Sequence, residues 1–388
     1  MMTDERVTRR VAVRLKGGVG YPIEIGSGVL ANLGSLARAN VSSEARRVAL
    51  VSNRRVFELY GERAAGSLRA AGFHVVPWLM GDGERFKTLR TAERALRFLS
   101  ESKLERSDAV VALGGGVVGD LAGLAAALYL RGVSFVQAPT TLLAQIDSSV
   151  GGKTGVNTPG GKNLVGAFHQ PRAVLIDTDS LRTLPPRELT AGWCEAIKQG
   201  AVGDRRLFLR TKEFLAGPSR GAGEADVGRG EELARLIAAQ CEFKAKIVAG
   251  DEREDVGRTD ARSRRVLNFG HTVGHALEAS TSYRRFRHGE AVGYGMLAAA
   301  EISKGLGMLE PSEVESLREA VRLAGRLPNA SDLDAEAVRR ALRADKKSVG
   351  GSIRWVLLER LGRARIVDGR DVPARLIRAS IRAALGAA

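Results

Sequence analysis

Residues 110–120 read VVALGGGVVGD. The run 110–113 is apolar and rich in β-branched residues, the pattern of a buried parallel strand. Gly114, Gly116 and Gly119 follow with GxGxxG spacing, and 121–130 reads as an apolar helix. Glycines at such a turn let backbone approach a ligand, and the helix N-terminus offers unpaired N–H groups to a phosphate. A turn that merely packs strand on helix has the same pattern. The acidic residue about twenty positions on, which would hold a ribose, is missing. Both readings stay open on this stretch alone.

The next segment adds chemistry. Residues 135–138 read as a second strand, closed by Pro139. A polar loop follows, with Thr140, Thr141, Gln145, Asp147, Ser148, Ser149, Lys153, Thr154, Asn157, Lys162 and Asn163 among five glycines. Polar, cationic backbone placed after a buried strand suits an anion. Gly152-Lys153-Thr154 imitates the end of a nucleoside-triphosphate loop, but position 147 is Asp where that motif needs Gly, so the reading is rejected.

Outward from this core, strands alternate with helices. A hairpin is expected at 11–15 and 21–25, then helix 29–38, strand 47–52, helix 56–71, strand 73–79 and helix 89–103, with a last strand at 174–177. That order predicts an α/β domain with a Rossmann-like parallel sheet. After Leu184-Pro185-Pro186 the texture turns helical, at 187–202, 231–249, 266–280, 289–306, 313–324 and 334–344, with a small hairpin at 353–358 and 364–367. The domains are therefore drawn at 1–184 and 185–388, the second mainly α-helical and metal-binding. Residues 217–230, with five glycines and a proline, read as a mobile loop.

Composition narrows the class. The chain of 388 residues can bury a sizeable core. Its formal charge of +16 raises nucleic acid as a partner, but only 5% of residues are aromatic and the basic residues are scattered, which argues against it. Of 60 basic residues 12 are Lys, and Lys87, Lys153, Lys162, Lys198, Lys244, Lys346 and Lys347 all sit in polar motifs. Two cysteines, Cys194 and Cys241, make neither a disulfide framework nor a thiolate zinc site. No apolar run approaches the roughly 18 residues of a membrane span. The charged start of the chain lacks the apolar core of a signal peptide, so the expected location is cytoplasmic.

Three of the five histidines, His271, His275 and His288, fall within 18 residues. His271 and His275 are four apart on an expected helix and share a face. Three histidines with a carboxylate nearby favour a zinc-type site. Spacing alone selects His271 and His275 as the metal pair.

Taken together, these motifs resemble the 3-dehydroquinate synthases, over residues 21 to about 367. The resemblance implies NAD and a divalent metal, zinc or cobalt, as cofactors. It assigns the metal to Glu195, His271 and His288, and turns His275 toward substrate. It implies NAD contacts at Asp82, Gly83, Glu84 and Lys87, at Gly115, Gly116, Val117, Val118, Gly119 and Asp120, and at Thr140, Thr141, Lys153, Lys162 and Thr183. It surrounds the substrate with Lys198, Lys244, Arg264, Asn268 and Lys346-Lys347, and with Arg131, Asp147, Lys153, Lys162 and Asn163 from the first domain. Arg suits a carboxylate and Lys a phosphate. Two departures matter. Asn53 and Arg55 stand where relatives often carry Asp and Asn, and a charged insertion at 255–263 leaves open whether Glu254 or Asp260 fills the family's acidic position.

The implied activity is a phosphate-eliminating cyclisation, a carbon–oxygen lyase reaction of the shikimate pathway toward aromatic amino acids. It takes 3-deoxy-D-arabino-heptulosonate 7-phosphate to 3-dehydroquinate by transient oxidation, elimination, re-reduction and aldol closure, in a site between the domains of a homodimer. The rivals are another sugar-phosphate cyclase, of amino-dehydroquinate or valiolone type, and an iron-group alcohol dehydrogenase. The expected partner is a small sugar phosphate, with no nucleic acid and no membrane.

Overall fold

The computed structural model describes residues 9–18, 20–217, 230–348 and 353–386, and for 343–348 the backbone only. The chain divides into two compact units, residues 1–183 with 227–249 and residues 184–226 with 250–388.

The first unit is built on a seven-stranded sheet. Its strands are β1 (Arg9–Arg14), β2 (Gly20–Gly26), β3 (Arg47–Asn53), β4 (His74–Met80), β5 (Ala109–Gly114), β6 (Ser134–Pro139) and β9 (Ala173–Asp177), ordered β1-β2-β9-β6-β5-β3-β4. All neighbours pair in parallel except β1 with β2. The central strands are buried throughout, as their unbroken Val/Ala/Leu runs require. The edges differ. On β1 the exposed positions include Arg10 and Arg14, and on β4 Pro77 stands exposed, opposite Leu50 of β3.

Around the sheet lie α1 (Leu33–Asn40), α2 (Glu62–Ala70), α3 (Leu89–Glu101) and α4 (Gly116–Leu128). The expected helix 56–71 is present as one continuous helical run over 54–70, with a π-helical stretch at Phe57–Gly61 leading into α2. The chain fills β3 and β4 in one direction and then crosses back to β5. The sheet order therefore reverses between β3 and β5, the place where open α/β sheets bind ligands beyond their strand ends.

Two expectations need correction here. The helix after the glycines starts at Gly116, five residues early, and ends at Leu128. A Cβ on Gly119 would lie 2.8 Å from Gln137 Oε1 and one on Gly123 2.4 Å from Thr154 Cγ2, so contact between helix and sheet outweighs the poor helix propensity of glycine. The polar segment is not all loop either. It forms a wide turn at Ala144–Ser148 and a hairpin of β7 (Lys153–Thr158) and β8 (Gly161–Phe168).

The second unit holds α5 (Pro186–Gly203), α6 (Arg205–Ala216), α8 (His271–Ser280), α9 (His288–Gly305), α10 (Pro311–Ala324), α11 (Ala335–Ser348), α12 (Ala374–Leu385) and the hairpin of β10 (Arg354–Arg360) and β11 (Arg363–Asp368). The intervening α7 (Gly230–Gly250) belongs to the first unit, against the boundary drawn at 184/185. Its Cys241 Sγ donates to the Gln145 carbonyl at 3.3 Å, and Lys244 Nζ meets Asp147. The expected helix 266–280 is broken: Arg264–Asn268 is a 3-10 turn and Gly270, at φ 80°, restarts the chain into α8. Helices α6 and α12 were not anticipated. The glycine-rich loop lies, for 218–229, outside the described residues.

Helices α5 and α9 come unusually close. A Cβ on Gly289 would fall 1.9 Å from the Ala191 carbonyl oxygen. Arg187 of α5 grips Glu290 of α9 through Nε and Nη2 at 2.7 and 2.6 Å, and Glu290 also accepts from the Arg287 N–H at 2.7 Å. Glu290 is fully buried. Its carboxylate therefore caps the helix that begins with His288.

Candidate active site

In the first unit the predicted cofactor residues gather at the strand ends. Thr140 N–H donates to the Gly114 carbonyl at 3.0 Å, and Ser52 Oγ donates to the Leu113 carbonyl at 2.8 Å. These bonds hold the ends of β3, β5 and β6 together around the N-terminus of α4. A Cβ on Gly115 would lie 3.0 Å from Thr141 Cγ2, and one on Gly116 3.0 Å from Ser148 Oγ. The glycines thus serve packing, while the N–H groups of the first turn of α4 remain the feature suited to an anion. Asn53, flagged as a departure, caps the turn after β3 through the Val56 N–H at 2.8 Å and donates to Asp82 Oδ1 at 3.0 Å.

Lys87 is buried beside this turn. Its Nζ donates to Asp120 Oδ2 at 2.5 Å and to Asn163 Oδ1 at 2.6 Å. Burial raises the Asp120 pKa, and the Lys87 charge offsets part of that rise. Asn157 ties the hairpin down, its N–H donating to the Lys87 carbonyl at 2.8 Å and its amide to Glu84 Oε1 at 2.7 Å. Lys153 is exposed and Lys162 half-buried on the same hairpin. Thr183 shares a 2.6 Å hydrogen bond with the Tyr60 hydroxyl. Lys244 meets both the carbonyl and carboxylate of Asp147.

One predicted residue is not brought to this group. Arg131 follows α4, and thirteen helical residues carry the chain about 20 Å from the glycine turn to the other end of the strands. Leu130, Arg131 and Gly132 all take positive φ there, 48°, 67° and 121°.

In the second unit, Glu195 is fully buried on α5, a helix whose burial extends through Leu189 to Val202. Its Oε1 lies 3.8 Å from His271 Nε2 and 3.6 Å from His288 Nε2. His271, His275 and His288 bring a ring nitrogen each within 4.8 Å of one another. Lys198 forms a buried ion pair with Glu195 Oε2, not the exposed pair that helical spacing would give. The other oxygen of Glu195, Oε1, accepts no hydrogen bond among the described residues. Lys198 compensates the carboxylate at Oε2, and Oε1, turned to two imidazole nitrogens beyond hydrogen-bonding reach, is the atom left for a metal ion. Ligand atoms about 3.3–3.5 Å apart are what bonds of about 2.0–2.2 Å to one tetrahedral ion require, and the two imidazole nitrogens stand a little beyond that range from Glu195 Oε1, at 3.6 and 3.8 Å.

Burial, then the charge of Lys198, lowers the His271 pKa well below the ordinary imidazole value, which keeps it in the neutral form a metal needs. His271 Nδ1 lies 3.2 Å from the Phe269 carbonyl, and His288 Nδ1 3.4 Å from Glu278 Oε2. Glu278 was missed in the sequence, although it stands seven residues after His271, on the same helical face. The cysteines take no part, since burial pushes the Cys241 thiol up to about 12 and that of Cys194 higher.

Beside this cluster, Asn268 Nδ2 donates to Glu254 Oε1 at 3.3 Å, whereas Asp260 pairs with Arg258 in the exposed insertion. It is Glu254 that the fold brings to Asn268. Arg264 is buried, and its Nη1 donates to the Glu252 carbonyl at 2.8 Å. The side chains of Lys346 and Lys347 lie outside the described residues.

A mostly parallel sheet followed by a helical unit is a layout shared with solved sugar-phosphate cyclases. Sequence profiles of the 3-dehydroquinate synthase N-terminal and C-terminal domains match residues 78–191 and 192–348. The chain is 47% identical to the 3-dehydroquinate synthase of Pelotomaculum thermopropionicum over 91% of each protein. It is 45% identical to that of Nostoc punctiforme, over 86% of this chain and 88% of the relative. Among solved structures, 2-epi-5-epi-valiolone synthase from Streptomyces hygroscopicus, with NAD+ and Zn2+ bound, superposes with a TM-score of 0.82 at 28% identity, covering 94% of this chain and 97% of that one. The chain belongs to the 3-dehydroquinate synthase family.

Proposed function

We propose that the chain converts 3-deoxy-D-arabino-heptulosonate 7-phosphate to 3-dehydroquinate and phosphate, using NAD and one divalent metal ion. The observation that carries this reading, beyond family membership, is the buried Glu195 Oε1, which accepts no hydrogen bond and faces two imidazole Nε2 atoms. Glu195, His271 and His288 would hold the ion, and the turn 114–119 with Thr140 and Thr141 would hold the dinucleotide. When bound, NAD+ supplies a reversible hydride acceptor for the carbon-5 hydroxyl and the metal a Lewis acid that makes this hydroxyl acidic.

The chain's own residues position and protonate. His275, within 4.8 Å of the other two imidazoles yet exposed, would take or return a proton at substrate. Arg264 and Asn268 would orient a carboxylate, and Lys162 and Lys198 would stabilise phosphate as it leaves. Cytoplasmic location and a homodimer belong to the same reading. Among the described residues no helix is long and apolar enough to cross a membrane.

The test is phosphate release from the heptulosonate phosphate with trace NAD+. Many turnovers per NAD+, with no NADH accumulating, are expected. Stoichiometric NADH without phosphate release would overturn the cyclase in favour of a dehydrogenase. Faster release from sedoheptulose 7-phosphate would move the assignment to a valiolone-type cyclase.

A further inference from the structure

His288 is approached by a carboxylate on each side. Its Nε2 lies 3.6 Å from Glu195 Oε1 and its Nδ1 3.4 Å from Glu278 Oε2. Glu278 is 2% exposed, on the helix that opens with His271. A neutral imidazole donates from one nitrogen and accepts at the other, while an ionised carboxylate only accepts. A proton shared with Glu278 therefore sits on Nδ1, which leaves the Nε2 lone pair directed toward Glu195. His271 has the same polarity, with the neutral carbonyl of Phe269 at its Nδ1 in place of a carboxylate.

We propose that Glu278 is a positioning residue for His288: it fixes the tautomer and ring plane and, being anionic, makes this imidazole a stronger donor than His271. The proposal rests on the reading of Glu195, His271 and His288 as ligands of a divalent ion. It adds a fourth side chain, behind a ligand rather than among the ligands, that sets how tightly the ion is held. Carboxylates behind metal-bound histidines act in this way in general.

The test compares zinc affinity of wild type and Glu278→Gln by competition with a chromophoric chelator, together with the visible spectrum of the cobalt-loaded proteins. Glu278→Gln should bind zinc about ten- to a hundredfold more weakly and show shifted cobalt bands. The urea midpoint of the metal-free protein should hold, and Glu278→Asp should recover part of the affinity. Equal zinc affinity and identical cobalt spectra overturn the proposal. Should Glu278→Gln fail to fold, the wild type still decides. With 15N-labelled histidine, zinc-loaded protein should show His288, identified by its loss in His288→Asn, as the Nδ1–H tautomer. A proton on Nε2 sinks the idea. A wild type that takes up no zinc overturns the ligand reading and this proposal together, whereas zinc held equally by both proteins overturns the Glu278 role alone.

Discussion

The turn beyond β5 and the cluster on α5, α8 and α9 use charge in opposite ways. At the turn, Lys87 is met by Asp120 and Asn163, and Lys244 by Asp147. The buried charges there are matched within the protein, and what faces a ligand is backbone. At the cluster, Glu195 Oε2 is paired with Lys198, while Oε1 faces two imidazoles too far away to donate. The first arrangement is complete as it stands and can release what it binds. The second leaves one carboxylate oxygen and two imidazole nitrogens open to a metal ion.

The largest effect should come from breaking the second arrangement. His288→Ala should lose the metal and reduce turnover about a thousandfold or more, the several kcal/mol that a Lewis acid supplies. His275→Ala should keep the metal and lose turnover, with metal content measured on the purified variants. Metal lost from His275→Ala and kept by His288→Ala would reverse the assignment of ligands.

Next is the matched pair. Lys87→Met leaves Asp120 buried without its cation and should cost about 3–5 kcal/mol in urea unfolding, with metal content unchanged. If metal content fell with it, the two regions would not be independent. A smaller loss, about 1–3 kcal/mol, is expected for Gly289→Ala, which forces α9 off the Ala191 carbonyl. Because α5 carries Glu195 and α9 carries His288, zinc affinity should fall in the same variant. Full affinity at reduced stability would show that the cluster tolerates a shift between these helices.

The smallest is a pH effect at the turn that leads to Arg264. Burial pushes the Asp251 pKa up, but the N–H groups of Asp255 and Arg264, Arg258 and Ser263 together bring it below the ordinary value. A depressed folded-state pKa contributes stability above the unfolded value, about 3.9, and that stability is lost as pH falls through the folded one. Asp251→Asn should therefore be less stable than wild type by about 1 kcal/mol at neutral pH, with the gap closing below about pH 4. A gap independent of pH would assign the loss to packing.

What could be read in advance follows from range. The alternation of strands and helices is local, so the sheet and its glycine turn were visible in 110–120. The histidines were visible because helical spacing is also local. The hairpin 153–168 was not, since its glycines and polar residues lack alternation and its order comes from contacts such as Asn157 with Lys87 and Glu84. The place of α7 was hidden for the same reason. Its periodicity shows a buried face, but only the pairing of Lys244 with Asp147, 97 residues away, shows what covers it. Glu278 carried a readable helical spacing, yet its partner His288 lies beyond the end of that helix.

The two margins of the seven-stranded sheet have a consequence for the chain in a crowded solution. A bare strand edge presents unpaired N–H and C=O groups that can recruit another chain. Here one margin carries Arg10 and Arg14 on the exposed side of β1, and the other is interrupted by Pro77, which has no N–H to donate. Continuous growth of the sheet from molecule to molecule is thereby blocked at both ends, by charge at one and by a missing donor at the other. Pro77→Val with Arg10→Thr and Arg14→Thr would remove both safeguards, and the cost would appear as turbidity on heating rather than as lost turnover.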